Sequence, residues 1–317
     1  MEGEAVSGSS GSDACVAYLA TTDGLIAVNV DGDVTRQDLA GSAVVSVAAG
    51  GAHLAIAVAE GGVRRRRGDD WVPLGLDDAH VWTVALDTTG DVYAGTEPAA
   101  LWRLGGAGGP TELTGLREVE GYAKWDSPWG AADLPSIVID EPRIIVGVEV
   151  GGVAVSHDGG ATWEARNTGL YDDVHRVVAD GRALYATTGM GFHRSGNEGR
   201  SWVFESDGID RAYTQGLVFT RGAVIAAASS GPPPMWESGG PEAAIFRADA
   251  GDDALRWSVV MEGFAGNVDR QALAAAGDLV IAGTTAGEVL VSRDAGRTFE
   301  IVATDLPAIT AVAVADA

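Results

Sequence analysis

Ser156-His-Asp158-Gly-Gly160-Ala-Thr-Trp163 returns twice further along the chain, as Ser195-Gly-Asn197-Glu-Gly199-Arg-Ser-Trp202 and as Ser292-Arg-Asp294-Ala-Gly296-Arg-Thr-Phe299. The runs Gly-Val-Ala-Val before Ser156 and Glu-Val-Leu-Val before Ser292 are β-rich, and each phrase leads directly into another such run. A phrase in that position is a tight turn between antiparallel strands. Its residue types suit the task. An Asp or Asn at the third position caps backbone N–H groups, the glycine two places later accepts a positive φ, and the closing aromatic covers the turn. A phrase recurring in this way marks a chain assembled from copies of one supersecondary unit.

A second, weaker repeat runs beneath the first: an apolar strand, a short Asp- or Gly-containing turn, a second apolar strand of Tyr-Ala-Gly-Thr type, and a third strand. Seven second strands can be read, at 17–22, 53–59, 91–96, 143–149, 183–188, 223–229 and 278–284. Their β-branched, aromatic and small residues run almost without interruption, as in strands covered on both faces. The first unit lacks an inner strand and the last residues, 308–315, read as a spare one. The expectation is an all-β, seven-bladed β-propeller in which the C-terminal strand completes the N-terminal blade and removes the open edge. Six and eight blades are the alternative counts. Residues 1–14, rich in Gly and Ser, read as a disordered tail, and 15–317 as a single propeller domain.

The pattern Ser-x-Asp-x-Gly-x-x-Trp resembles the Asp-box, or BNR repeat, of β-propellers such as sialidases, xyloglucanases, sortilin-type receptors and plant photosystem assembly factors. Asn197 departs from it only conservatively. The resemblance implies that Ser156, Asp158, Gly160 and Trp163, with Ser195, Asn197, Gly199 and Trp202 and with Ser292, Asp294, Gly296 and Phe299, serve folding, on the face opposite the functional one.

Forty-five acidic residues face 21 basic ones, for a net charge of −24, and Lys124 is the single lysine. Carboxylates spread evenly, with lysine almost absent, resemble the halophilic signature, in which acids keep a surface hydrated in concentrated salt. A haloarchaeal cytoplasm is the expected setting. The same arithmetic excludes a basic nucleic-acid surface. The run Arg64–Arg67 lies in a strand and is followed by Asp69 and Asp70, so it reads as a solvated, partly ion-paired stretch. No segment is long and apolar enough for a membrane span, and no signal peptide is evident. Cys15 is alone, which precludes an intrachain disulfide, and no spacing points to a metal or other cofactor. The expected state is a monomer.

In a propeller, connections between blades and between second and third strands emerge on one face, while the other turns, including the repeated phrase, emerge on the opposite one. Two long insertions, 117–133 and 231–242, therefore belong to the face away from the repeated turns. The first carries Tyr122, Lys124, Trp125, Asp126 and Trp129, and the second a Pro-rich run with Trp236 and Glu237. Aromatics interleaved with charge supply contact area for a carbohydrate, peptide or protein. The alternative is that they fold their loops onto the ring. The inner strands begin on this face at His80, Trp82, His175, Arg176, Tyr213, Asp269 and Arg270, and second strands end there at Glu60, Glu97, Glu149 and Glu288. Polar groups converging on a central mouth are the default ligand site, against mere Glu–Arg pairing around the channel.

The expected function is a non-enzymatic ligand- or protein-binding platform, of unidentified partner, using this face. The alternative is a glycoside hydrolase or lyase, for which Asp126 and Glu237 are the candidate carboxylates. The sialidase arrangement of three arginines would need Arg176, Arg211 and Arg270 with Tyr213. The accompanying Arg-Ile-Pro signature is absent.

Overall fold

The computed structural model describes residues 17–106, 108–127, 130–235, 240–251 and 253–314. The 1–14 tail and Cys15 lie outside these. Seven four-stranded antiparallel sheets form the blades of a β-propeller, with blade 1 built from both chain ends. Its inner strand is Ile309–Val314, paired antiparallel to Ala17–Thr21 with Ala17 opposite Val314 and Leu19 opposite Val312. Blades 2 to 7 follow in chain order, with inner strands Val44–Gly50, His80–Leu86, Ser136–Asp140, Val174–Asp180, Tyr213–Thr220 and Leu273–Ala276. Two pieces of 3-10 helix and a two-stranded hairpin, Asp126–Ser127 with Gly130–Ala131, occupy the connection between blades 3 and 4. No helix among the described residues is long and apolar enough to cross a membrane.

The core is divided rather than central. Seven apolar clusters lie among the described residues, each shared by two neighbouring blades. Tyr93 and Leu101 of blade 3 meet Ile137 and Ile144 of blade 4, and Tyr185 and Phe192 of blade 5 meet Leu217 and Phe246 of blade 6. The ring closes where Ile281 and Val289 of blade 7 pack on Leu19, Ile26 and Ile309 of blade 1. Second strands such as Gly24–Val28's neighbour Ala17–Thr21 and Arg143–Val148 are covered on both faces, which is why their sequences do not alternate.

The three repeated turns share one hydrogen-bond scheme. The Ser156 hydroxyl donates to Asp158 Oδ1 (2.9 Å) and accepts from the Gly160 N–H (2.8 Å), while Asp158 Oδ1 accepts from the Thr162 N–H and Oδ2 from its hydroxyl. Asp294 does the same with Thr298, and Asn197 with Ser201, where the amide NH2 donates to the Ser201 hydroxyl. Gly160, Gly199 and Gly296 have φ of 90°, 78° and 76°. The closing aromatics diverge. Trp163 donates back to its own turn at Gly160 O (3.0 Å), whereas Trp202 reaches the preceding blade, donating to Arg166 O (2.7 Å).

These hydrogen bonds hold the Asp158 carboxyl at about 2, chiefly through the Thr162 hydroxyl. At Asp294 slight burial acts in the opposite sense, but the Thr298 N–H and hydroxyl hold it at about 2 as well. A folded-state value below the unfolded one of 3.8 gives stability that is full above pH 4 and disappears as pH falls toward 2. Asp158→Asn with Asp294→Asn should keep the turns, as Asn197 does, and flatten the acid limb of stability between pH 4 and 2. Chemical denaturation across that range checks this, and an unaltered acid limb would refute it.

On the other face, second strands end in hydroxyl residues that close the following loop. Thr21 Oγ1 donates to Gly24 O (2.8 Å), Thr96 to Pro98 O (2.9 Å), Thr188 to Gly191 O (2.8 Å) and Ser229 to Gly231 O (3.2 Å). In blade 7, Thr284 Oγ1 accepts from the Glu288 N–H (3.0 Å).

Candidate functional site

The connection between blades 3 and 4 and the long loop of blade 6 meet on the face opposite the repeated turns. Between them lies a cavity of ≈ 410 Å³ at the channel mouth, with walls formed by Trp82, Tyr213, Pro233, Pro234 and the Ser127 and Gly130–Ala131 hairpin. Its polar lining consists of Glu97, Asp133, Glu149 and Arg270. Below it the channel is crossed by Gln271, whose Oε1 accepts from Ser46 (2.7 Å) and Thr83 (3.1 Å) and whose Nε2 donates to Trp82 O (2.8 Å), so blade 7 is tied to blades 2 and 3.

Arg270 organises the floor. Its Nη1 lies 2.6 Å from Glu149 Oε2 and 3.5 Å from Asp133 Oδ1, and its guanidinium sits 5.3 Å from the Trp82 ring centroid. Trp82 Nε1 in turn donates to Glu97 Oε2 (3.1 Å), which also meets His80 Nδ1 at 3.0 Å. Burial would lower the Arg270 value, but Glu149 and Asp133 more than offset it, so the guanidinium is held firmly charged. Burial pushes the Asp133 carboxyl up to about 7, reinforced by Glu149 and Glu97 and opposed by Arg270. Asp269 is also pushed up by burial. Tyr213 is raised to about 12, mainly by burial, and remains a phenol.

His175 is fully buried beside Tyr213, with ring centroids 4.7 Å apart. Its Nδ1 lies 2.6 Å from Thr214 O, and since a carbonyl only accepts, Nδ1 carries the proton. Nε2 then faces Asp173 Oδ1 at 3.5 Å, beyond hydrogen-bond length, and neither atom has another partner.

Trp82, Tyr213, Arg270 and, beneath them, His175 thus come together at one mouth. His80 stands exposed at its rim against Trp82. Arg176 is not in the cavity lining; burial lowers it to about 10. Trp125 lies against Tyr122, with the rings tilted at 48° and centroids 4.8 Å apart, and packs against the core between blades 3 and 4, which fastens its loop to the ring. Lys124 and Asp126 are exposed. Trp129, Trp236 and Glu237 lie outside the described residues. Arg211 turns to the rim, pairing with Asp210 and Glu262.

Asp133 and Asp173 were not singled out from the sequence, and Asp269 entered only as the neighbour of Arg270 where an inner strand begins. Each stands seven residues before the last residue of its inner strand, at Asp140, Asp180 and Ala276. That shared register brings them to the mouth, and their common offset from the strand end is the signal that could have found them.

The architecture defines a class: a seven-bladed β-propeller with a polar cavity at the channel mouth, beneath its longest loops. No protein-family model matches the sequence, and no curated protein matches it significantly. Among solved structures the chain is similar to YCF48 from Cyanidioschyzon merolae, at 14% identity and a TM-score of 0.57, over 82% of this chain and 84% of that one. It is similar in the same degree, 14% and 0.57, to YCF48 bound to D1 peptide, over 90% and 84% of the two chains. The GH74 xyloglucanase from Xanthomonas campestris matches at 17% identity and 0.56, over 82% of this chain but 45% of the enzyme, so this chain spans less than half of that protein. These likenesses establish the fold.

Proposed function

We propose that this chain is a non-enzymatic binding platform of the Asp-box class, which holds a segment of a partner protein at the channel mouth. The observation that carries the reading is the cavity itself. Trp82, Tyr213 and two prolines offer rigid apolar walls, and three acids against one arginine give its polar lining a negative balance. Such a mouth suits an extended segment bearing a cationic side chain, held by Glu97 or Asp133 and flanked by rings. The record of YCF48 with a bound D1 peptide supports peptide capture by this architecture. The acid-rich, lysine-poor composition supports a high-salt cytoplasm as the setting, so binding should be measured over a KCl series.

The test is titration of labelled basic, neutral and acidic peptide libraries by fluorescence anisotropy. Basic peptides are expected to bind preferentially, with Trp82→Ala weakening them about tenfold or more. Preference for acidic peptides, or binding indifferent to Trp82, would overturn the reading.

Glycoside hydrolase or lyase chemistry is the second reading. It rests on Asp133 and Glu149 standing together in a cavity flanked by Trp82 and Tyr213. Both carboxylates are held by Arg270, which supports a structural and binding role instead. Turnover of soluble glycans in molar salt, abolished by Asp133→Asn, would favour the hydrolase.

A further inference from the structure

We infer that the floor of the mouth is a divalent-cation site, with His175 Nε2, Asp173 and Glu149 as its protein ligands and a divalent first-row ion such as Zn2+, Mn2+ or Co2+ as its occupant. One donor atom from each residue lies within 4.8 Å of the others. Neighbouring ligands of a tetrahedral ion with bonds of about 2.0–2.2 Å stand about 3.4 Å apart; His175 Nε2 and Asp173 Oδ1, at 3.5 Å, already have that spacing, and Glu149 closes on them by a rotamer adjustment. The inference does not depend on the peptide-binding reading.

The imidazole carries the argument. It is wholly buried, its Nδ1–H is committed to Thr214 O at 2.6 Å, and the remaining nitrogen points at Asp173 with no hydrogen-bond partner. A carbonyl that fixes the tautomer and aims Nε2 is the usual support of a metal-bound histidine. A buried imidazole nitrogen and a buried carboxylate oxygen, Asp173 Oδ1, facing each other at 3.5 Å need a positive centre between them, a second ring proton or a metal ion. Charge agrees. Glu149 and Asp173 both lie within the reach of Arg270, a single cation that also serves Asp133. Glu149 spends Oε2 on Arg270, which leaves its other oxygen for an ion. One nitrogen and two carboxylates form a donor set suited to borderline divalent ions rather than to thiophilic ones.

The ligands come from the end of one second strand and the start of the next inner strand, so no local spacing in the sequence announces them.

The test uses the full chain after treatment with EDTA, titrated calorimetrically with Zn2+, Mn2+ and Co2+. About one equivalent is expected to bind, with Asp173→Asn weakening affinity about ten- to a hundredfold and the exposed-acid variant Asp126→Asn unchanged. Binding that Asp173→Asn does not alter, or only weak binding at many equivalents, would overturn the proposal. Should Asp173→Asn fail to fold, the wild type decides: Zn2+ must shift the ring nitrogen and proton NMR signals of His175, and their constancy at saturating Zn2+ would equally overturn it.

Discussion

A chain ending at residue 307 is expected to lose cooperative folding altogether. The strand Ile309–Val314 is the inner strand of blade 1, hydrogen-bonded to Ala17–Thr21, and Ile309, Ala311, Val312 and Ala313 are buried between blades 7 and 2. Burial of Ile309 and Val312 alone contributes about 1.5–3 kcal/mol each. Their removal also uncovers Leu19 and Val47, and leaves the edge of Ala17–Thr21 unpaired. Against a total stability of about 5–15 kcal/mol the loss is decisive, because this strand is the inner edge at which blade 1 meets both blade 7 and blade 2. Thermal and denaturant unfolding followed by circular dichroism should show a broad, non-cooperative change. A synthetic peptide covering 307–317, added in trans, should restore the transition. A truncated chain that melts sharply within a few degrees of the intact one would disprove the role of the strand.

Replacing Arg270 is expected to destabilise the folded chain by about 3–5 kcal/mol, since it leaves Glu149 and Asp133 buried without their cation. Arg270→Met keeps the volume against Trp82 while removing the charge. The partner change Glu149→Gln, made in the same molecule, should recover part of the loss, because a neutral amide needs no counter-charge. Denaturant midpoints for the two single variants and the double variant give the coupling directly. Additive losses would mean that the 2.6 Å contact contributes little, and that Arg270 is kept for what it offers a ligand.

Much of the fold was readable because its determinants are local. The Ser-x-Asp-x-Gly turns recur as contiguous phrases, and the continuous apolar character of strands such as Arg143–Val148 reflects cover on both faces. The spare strand at the C-terminus was visible because the first blade lacked one. The mouth was placed by topology. Its chemistry was less legible, because Asp133 and Asp173 are two acids among 45, and only the ring brings them together with Arg270. Trp125 illustrates the opposite difficulty. An aromatic in a charged loop has the same sequence appearance whether it greets a partner or, as here, packs on Tyr122 and seals its loop to the core.

The hydroxyls of Thr21, Thr96, Thr188 and Ser229 are each bonded to a carbonyl two or three residues further on, whatever the length of the loop. A two-residue connection after Thr21 and the long excursion after Ser229 therefore start from the same closed base. Length and content beyond that base are decoupled from the ring, so the mouth face is modular: one loop can be lengthened, exchanged or redesigned while its neighbours stay in place. New specificities could arise there by loop replacement alone, with the scaffold as a bystander.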